Sequence, residues 1–88
     1  MEVAFLAKFN KDLDKIEDSQ IKMKVIDIIE EIELSEKLSN LVNVKKLSGF
    51  KIAYRIKLGD YRIGFFFENG IIEFARIVHR KDIYKVFP

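Results

Sequence analysis

The spacing of apolar residues changes along the first third of the chain and predicts a strand followed by two helices. Residues 2–6 alternate as a short strand does. Apolar residues then recur at the i, i+4, i+7 spacing of an amphipathic helix, at Phe9, Leu13 and Ile16. Between them we expect three polar residues to face solvent: Asn10, Asp12 and Asp14.

A longer helix is predicted next, because Asp18 or Ser19 can cap a helix that carries a second apolar stripe. The stripe consists of Ile21, Val25, Ile28, Ile29 and Ile32. Since such a stripe usually faces a core, we expect the two helices to pack as an antiparallel pair. The polar stretch 35–43 ends the helical part.

The second half of the chain has the period-two alternation of β-strands. Strands are predicted over residues 51–58, 61–68 and 71–78, with a turn or short helical tail over 80–87. Gly59-Asp60 joins the first two strands, and Asn69-Gly70 is typical of a type I′ hairpin turn. The order β-α-α-β-β-β predicts an α+β fold, a small antiparallel sheet with two N-terminal helices packed on one face.

The composition indicates one domain over residues 1–88. With 49% apolar residues and no Cys, the chain resembles a compact soluble domain that depends on burial and not on disulfides. No apolar run reaches the roughly 18 residues that a membrane span needs. No basic region precedes a signal-like core, so we expect a cytoplasmic protein.

The net charge of +2 is the sum of two unlike halves. Residues 1–44 carry 6 Lys and 10 acids, net −4, whereas residues 45–88 carry 10 basic residues and 4 acids, net +6. All the arginines lie in the basic half: Arg55, Arg62, Arg76 and Arg80. Arginine makes planar two-point contacts with phosphate that lysine cannot replace. The basic half therefore indicates a partner that contains phosphate.

One face of the predicted sheet collects several of these cations. Arg55 and Lys57 leave the same face of one strand about 7 Å apart, and Arg62 joins them if the hairpin register places it alongside. Arg76 and Arg80 could extend this surface. We call the set formed by Arg55, Lys57 and Arg62 the basic face. Converging cations can hold a phosphodiester, and a solvated sheet face without such a role is the alternative.

Near the end of the chain, an acid–base group, a cation and a stacking ring are expected at the edge of the basic face, from His79, Arg80, Asp82 and Tyr84. His79 is the only histidine, and histidine is the residue type suited to proton transfer near neutral pH. A lone histidine is more often structural. Asp82 could pair with Arg80 or Lys81, and Tyr84 could be a stacking ring or a residue at the rim of the core.

Several kinds of site are excluded by the residue types. One His and no Cys leave no set of imidazole and thiolate ligands for zinc, and no carboxylates have the spacing of a calcium loop. The four Gly are isolated, so there is no glycine-rich phosphate loop. We expect no metal and no cofactor, so any catalysis would rely on basic side chains.

The second half of the chain resembles the RelE/ParE superfamily of type II toxin–antitoxin toxins. The resemblance lies in "KLSG" at Lys46–Gly49, "YRIKLGDYR" at Tyr54–Arg62 and "HRKDIY" at His79–Tyr84. Members fold as a small antiparallel sheet with two N-terminal helices, which agrees with the element order above. RelE-like members cut messenger RNA in the ribosomal A site without a metal. The resemblance implies that the ribose 2′-hydroxyl attacks the adjacent phosphate, leaving a cyclic phosphate and a 5′-hydroxyl.

The resemblance also implies roles for individual residues. The matching positions are Arg55, Lys57, Arg62, Arg80 and Tyr84. Lys57 would take a proton or neutralise the attacked phosphate, while Arg55 and Arg62 would bind phosphate. Arg80 would stabilise the leaving oxygen, and Tyr84 would stack on a flanking base. RelE itself has a lysine pair where this chain has Arg55 and Lys57. Because arginine is a poor general base, His79 is a further candidate for proton transfer.

The resemblance implies partners as well, and it leaves other functions open. A RelB-like cognate antitoxin would neutralise the toxin, the ribosome and messenger RNA would be its targets, and operator DNA would be bound only through the antitoxin. One alternative is a ParE-like inhibitor of DNA gyrase without RNA chemistry. Another is an inactive member that acts only as an antitoxin-binding co-repressor.

Overall fold

The computed structural model describes residues 1–88 and contains a five-stranded sheet with three helices. The elements in chain order are β1 (Glu2–Phe5), α1 (Ala7–Lys15), α2 (Ser19–Leu34), β2 (Val44–Lys46), β3 (Ala53–Leu58), β4 (Tyr61–Glu68), β5 (Ile71–His79) and α3 (Ile83–Val86). A short 3₁₀ turn, Leu38–Asn40, lies between α2 and β2. None of the helices combines the length and the apolar character that crossing a bilayer requires.

The sheet is mixed, so the prediction of a purely antiparallel sheet was wrong. The strand order is β1-β5-β4-β3-β2, and β1 runs parallel to β5 while every other pair is antiparallel. Residues 71–79 thus form an inner strand with β1 on one side and β4 on the other. Local alternation shows that a segment is a strand, but it does not show which distant strand becomes its neighbour.

Strand β2, which has three residues and lies at the edge of the sheet, was not predicted from the sequence. It is too short for alternation to stand out, and two of its residues are the exposed Lys45 and Lys46. Lysines on a short outer strand are a common protection against pairing with other chains. The sequence of this segment is therefore typical of a charged loop, and only its pairing with β3 in the folded chain makes it a strand.

Local signals at a helix start and at a hairpin are confirmed. Asp18 caps α2, because its Oδ1 accepts hydrogen bonds from the backbone N–H groups of Gln20 at 2.9 Å and Ile21 at 3.4 Å. At the β4–β5 hairpin, φ is 54° at Asn69 and 77° at Gly70. Positive φ at both central residues is the requirement of a type I′ turn.

The main core lies between the sheet and the two N-terminal helices. The predicted stripes contribute Phe9 on α1, Ile16 directly after α1, and Val25 and Ile32 on α2. The sheet contributes Ile56, Leu58, Ile63, Phe65, Ile72, Phe74 and Ile77. Both helices therefore cover one face of the sheet, as predicted.

The other face of the sheet is only partly basic, because α3 covers part of it. A smaller apolar cluster forms there from Leu47, Ala53, Ala75, Ile83 and Phe87. The ring of Phe87 lies directly over Gly64, where an added Cβ would come within 2.5 Å of two ring carbons. The absence of a side chain at Gly64 is therefore what lets the C-terminal segment approach the sheet.

Candidate functional site

The strand register brings the basic face together. Lys57 on β3 lies directly opposite Arg62 on β4, and Arg55 lies opposite Gly64 on the same face. Directly opposed residues have Cβ atoms about 5 Å apart, so the side chains of Lys57 and Arg62 can contact the same small group. The predicted placement of Arg62 beside the other two cations is confirmed.

Backbone carbonyls hold both arginines of the basic face. The Nη1 group of Arg62 donates to the carbonyl oxygens of Gly59 at 2.7 Å and Tyr61 at 2.8 Å, both at the β3–β4 hairpin. The Nη1 group of Arg55 donates to the carbonyl oxygen of Asn43 at 3.3 Å. Neither arginine, nor Lys57, has a carboxylate within ion-pair distance. The three positive charges therefore remain available to an anion.

Arg80 lies at the same end of the sheet as Arg62. Its backbone N–H donates to the carbonyl oxygen of Asp60 at 2.7 Å, which ties the end of β5 to the β3–β4 hairpin. Its Nε is 3.9 Å from the Asp60 carboxylate, and both side chains are exposed. An exposed pair at that distance is weak, so the guanidinium can turn toward a ligand.

Tyr84 is carried by α3 and is 64% exposed. The buried residue Ile83 packs α3 against the sheet, in the same apolar cluster as Val78. Val78 lies opposite Arg62 in the β4–β5 pair, so α3 covers the sheet face that bears Arg62. The phenol ring therefore stands on the same side of the sheet as the basic face. Asp82, just before α3, is 3.6 Å from Lys85 and so pairs there and not with Arg80 or Lys81.

His79 lies on the opposite side of the sheet, so the expectation that it borders the basic face was wrong. The register sets it opposite Tyr61, whose side chain faces away from that of Arg62. Its ring meets the Tyr61 ring edge-on, with centroids 6.1 Å apart. Its Nδ1 accepts a hydrogen bond from the backbone N–H of Lys81 at 3.2 Å. The chain turns directly after His79, and this turn separates its ring from Arg80.

Arg76 is also withdrawn from the basic face. Its guanidinium binds the Asp12 carboxylate through Nε at 2.7 Å and Nη2 at 3.1 Å. The hydrogen bond to Asp12 raises the pKa of Arg76; burial opposes it with a smaller lowering effect, and the charge of Asp12 adds a still smaller rise. Arg76 is therefore permanently charged and already occupied, and it does not extend the site.

Asp12 is buried, with 9% of its surface exposed, so the prediction that it faces solvent was wrong. The reason is the short length of β1, which pairs with β5 only as far as Phe74. Beyond that point α1 lies beside β5, and the Asp12 carboxylate accepts the backbone N–H of Ile77 at 3.1 Å. The spacing did contain a signal, because Asp12 is three residues after Phe9 and thus on the same helix face.

No group of three or more His, Cys, Asp or Glu side chains converges in a way that could hold a metal ion. The arrangement instead offers several cations to one anionic group on the open side of the sheet, with an exposed aromatic ring beside them. Such an arrangement can bind a phosphodiester and stabilise negative charge that develops on it.

Comparison with known proteins gives a consistent picture. Residues 3–84 match the family model described as "ParE toxin of type II toxin-antitoxin system, parDE". The chain is 40% identical to Toxin RelE3 of Methanocaldococcus jannaschii over 89 residues, covering 100% of both chains.

Solved structures agree with this relationship. A RelB–RelE antitoxin–toxin complex from Methanococcus jannaschii matches with a TM-score of 0.83 and 38% identity, covering 97% of this chain and 99% of the other. An archaeal RelE–RelB complex from Pyrococcus horikoshii matches with a TM-score of 0.72 and 20% identity, covering 93% and 97%. At that lower identity the second match shows the shared fold alone.

Proposed function

Since the chain belongs to the RelE/ParE superfamily of type II toxin–antitoxin toxins, we propose that it is a ribosome-dependent endoribonuclease that cleaves messenger RNA in the A site. The observation that carries the proposal is the direct pairing of Lys57 with Arg62 beside Arg55, with no carboxylate neutralising any of them. Three available cations on one face suit a substrate whose reacting group is a phosphodiester.

The chemistry needs no group beyond the substrate, water and these side chains. The ribose 2′-oxygen attacks the adjacent phosphorus as its proton passes to Lys57 or to water, and the bond to the 5′-oxygen breaks as that oxygen takes a proton from water. A 2′,3′-cyclic phosphate and a 5′-hydroxyl result. Arg55 and Arg62 bind the non-bridging oxygens and stabilise the charge that grows on them. Lys57 neutralises the same phosphate or takes the 2′-hydroxyl proton, two roles that a Lys57→Arg variant separates.

Arg80 and Tyr84 complete the proposed site. Arg80, placed beside the β3–β4 hairpin by its bond to Asp60, stabilises the leaving 5′-oxygen. The exposed ring of Tyr84 stacks on a base next to the cut and turns the ribose toward in-line attack. Because this site depends on a single-stranded segment held in place, the ribosome supplies much of the orientation.

We further propose that a cognate antitoxin of RelB type holds the protein inactive in the cytoplasm. The matching structure at 38% identity is a complex of a RelE protein with a RelB protein. An antitoxin that places acidic side chains on the basic face would neutralise the cations that the substrate needs. Operator DNA would then be bound by the antitoxin and not by this chain.

The test is cleavage on purified ribosomes that hold a defined codon in the A site. We expect the wild-type protein to cut within that codon and to leave 2′,3′-cyclic phosphate and 5′-hydroxyl ends. Folded Arg62→Ala should lose about 10²–10³-fold in the single-turnover rate. Intact messenger RNA after prolonged incubation with folded wild-type protein would contradict the proposal.

The match to a ParE family model supports a second candidate, the inhibition of DNA gyrase that a resemblance to ParE implies. This function would need no RNA chemistry and no preserved basic face. The discriminating measurement is DNA supercoiling by purified gyrase in the presence of the protein. Double-strand breaks in the DNA, together with no cut on programmed ribosomes, would support the gyrase function.

A further inference from the structure

A cleft of about 520 Å³ opens beside the basic face, between the β2 region and the C-terminal segment. One wall is formed by β2 and the loop after it, and the other by α3 and the residues that follow it. The lining residues are Lys45, Lys46, Leu47, Ser48, Phe50, Tyr84, Phe87 and Pro88. The cleft therefore combines aromatic rings with lysines.

The cleft is continuous with the basic face. Lys45 lies opposite Arg55 in the β2–β3 pair, and Arg55 lies opposite Gly64 in the β3–β4 pair. The ring of Phe87, which helps to line the cleft, rests on Gly64. A strand of nucleic acid whose phosphate contacts Arg55 would thus have its next unit at the mouth of this cleft.

Phe50 is the residue of the cleft whose exposure is not explained by packing in the core. Its ring is 49% exposed, and it belongs to neither apolar cluster. The loop that carries it is closed by hydrogen bonds from the N–H of Phe50 to the oxygen of Leu47 at 3.3 Å and from the N–H of Leu47 to the oxygen of Ala53 at 2.8 Å. A short loop closed by its own backbone hydrogen bonds thus exposes an aromatic side chain to solvent, although burying that side chain in the core would be favourable.

The charge of the lining distinguishes this cleft from a second one between α2 and β3. The second cleft is lined mainly by apolar residues, and its two lysines, Lys24 and Lys57, are matched by two carboxylates, Asp27 and Glu31, which would repel a phosphate chain. No acidic side chain lines the cleft that contains Phe50. Single-stranded nucleic acid is bound by this combination of cations and exposed rings.

We propose that this cleft binds a nucleobase adjacent to the cut, with Phe50 as its stacking surface and Lys45 contacting the flanking phosphate. This inference rests on the proposed function and adds a specific base-binding site to it. Phe50 and Tyr84 both line this cleft, and stacking of the base on Phe50 holds the scissile phosphate against Lys57 and Arg62. Because every base has a flat face, the site accepts all four bases.

The experiment measures single-turnover cleavage on programmed ribosomes with messenger RNAs that carry an abasic nucleotide on either side of the cut. On the intact message, Phe50→Ala and Phe50→Leu should lower the rate by about tenfold to a hundredfold, and Phe50→Tyr should restore it. On the message abasic at the stacked position, wild type should slow by a similar factor and Phe50→Ala should slow no further. Met23→Ala, which removes another exposed apolar side chain on α2, should cleave at the wild-type rate.

Thermal denaturation shows which variants are folded, and Phe50→Leu keeps apolar bulk if the alanine variant is unstable. A folded Phe50→Leu that cuts at the wild-type rate overturns the inference and leaves the proposed function intact. An equally large effect of Phe50 on both abasic messages overturns it too. Unchanged cleavage with weakened binding of the cognate antitoxin would assign the cleft to a protein partner. No cleavage by wild type overturns the proposed function and this inference together.

Discussion

Asp12 on α1 and Arg76 on β5 form a two-point ion pair, with Nε to Oδ2 at 2.7 Å and Nη2 to Oδ1 at 3.1 Å. The same carboxylate accepts the backbone N–H of Ile77. Asp12 therefore replaces the missing continuation of β1 as a partner for the edge of β5. One buried carboxylate both fixes α1 on the sheet and removes an arginine from the proposed RNA surface.

Replacing Asp12 should destabilise the fold without altering the chemistry. Asp12→Ala leaves the Ile77 N–H and the Arg76 guanidinium without their partner, so we expect a loss of about 2–4 kcal/mol in the free energy of unfolding. Asp12→Asn keeps an oxygen acceptor and should lose less. Urea denaturation measures both variants. Equal stability of the alanine variant and wild type would show that the pair contributes nothing to the fold.

Gly64→Ala should displace the C-terminal segment, because the new methyl group would lie 2.5 Å from carbons of the Phe87 ring. We expect a loss of about 1–3 kcal/mol in the free energy of unfolding. Phe87→Ala removes the ring that the methyl group meets, so the double variant should lose less than the two single losses combined. Strict additivity in urea denaturation would contradict a direct clash.

Variants of Lys57 distinguish its two proposed roles, charge stabilisation and proton transfer. Lys57→Ala should slow single-turnover cleavage by about 10²–10³-fold. Lys57→Arg keeps the positive charge but does not readily accept a proton. Because Lys57 lies directly opposite Arg62, we expect charge stabilisation to dominate and the arginine variant to cut at least about tenfold faster than the alanine variant. Equal rates for the two variants would instead assign proton transfer to Lys57.

We expect the replacement of His79 to leave cleavage unaffected, in contrast to the replacement of Arg80. Its ring lies on the face of the sheet away from Arg62 and contacts Tyr61. His79→Ala should therefore keep the cleavage rate within about threefold of wild type and leave the dependence of the rate on pH unchanged. The comparison is with Arg80→Ala, which we expect to be strongly impaired. A large loss in folded His79→Ala with an altered pH profile would return His79 to the proposed catalytic set.

Several features of the fold follow from short stretches of sequence. Apolar spacing predicted α1, α2, β3, β4 and β5, and turn residues predicted both hairpins. The alternation of Arg55 and Lys57 placed both on one strand face, and the position of Arg62 just after a tight hairpin suggested its partnership with them. These features depend on neighbours within a few residues, so a single chain segment carries the information.

Other features depended on residues far apart in the chain. The parallel pairing of β1 with β5, the existence of β2 and the burial of Asp12 each require a neighbouring element that local spacing does not reveal. The same holds for Arg76, which is close to His79 and Arg80 in sequence but is bound to a helix at the other end of the chain.

The sequence by itself therefore determined the element types, the apolar stripes and the basic residues of β3 and β4. These features depend on the spacing of apolar residues and on the residue types at tight turns, both of which involve only residues close together in the chain. The tertiary structure alone decided which cations remain available. Strand register places Lys57 opposite Arg62 and turns His79 to the other face of the sheet. Arg76 is bound to Asp12. Phe50 lies in a cleft with Lys45, which is opposite Arg55 in the β2–β3 pair. Side chains on one surface come together through strand register and helix docking, which are long-range packing choices.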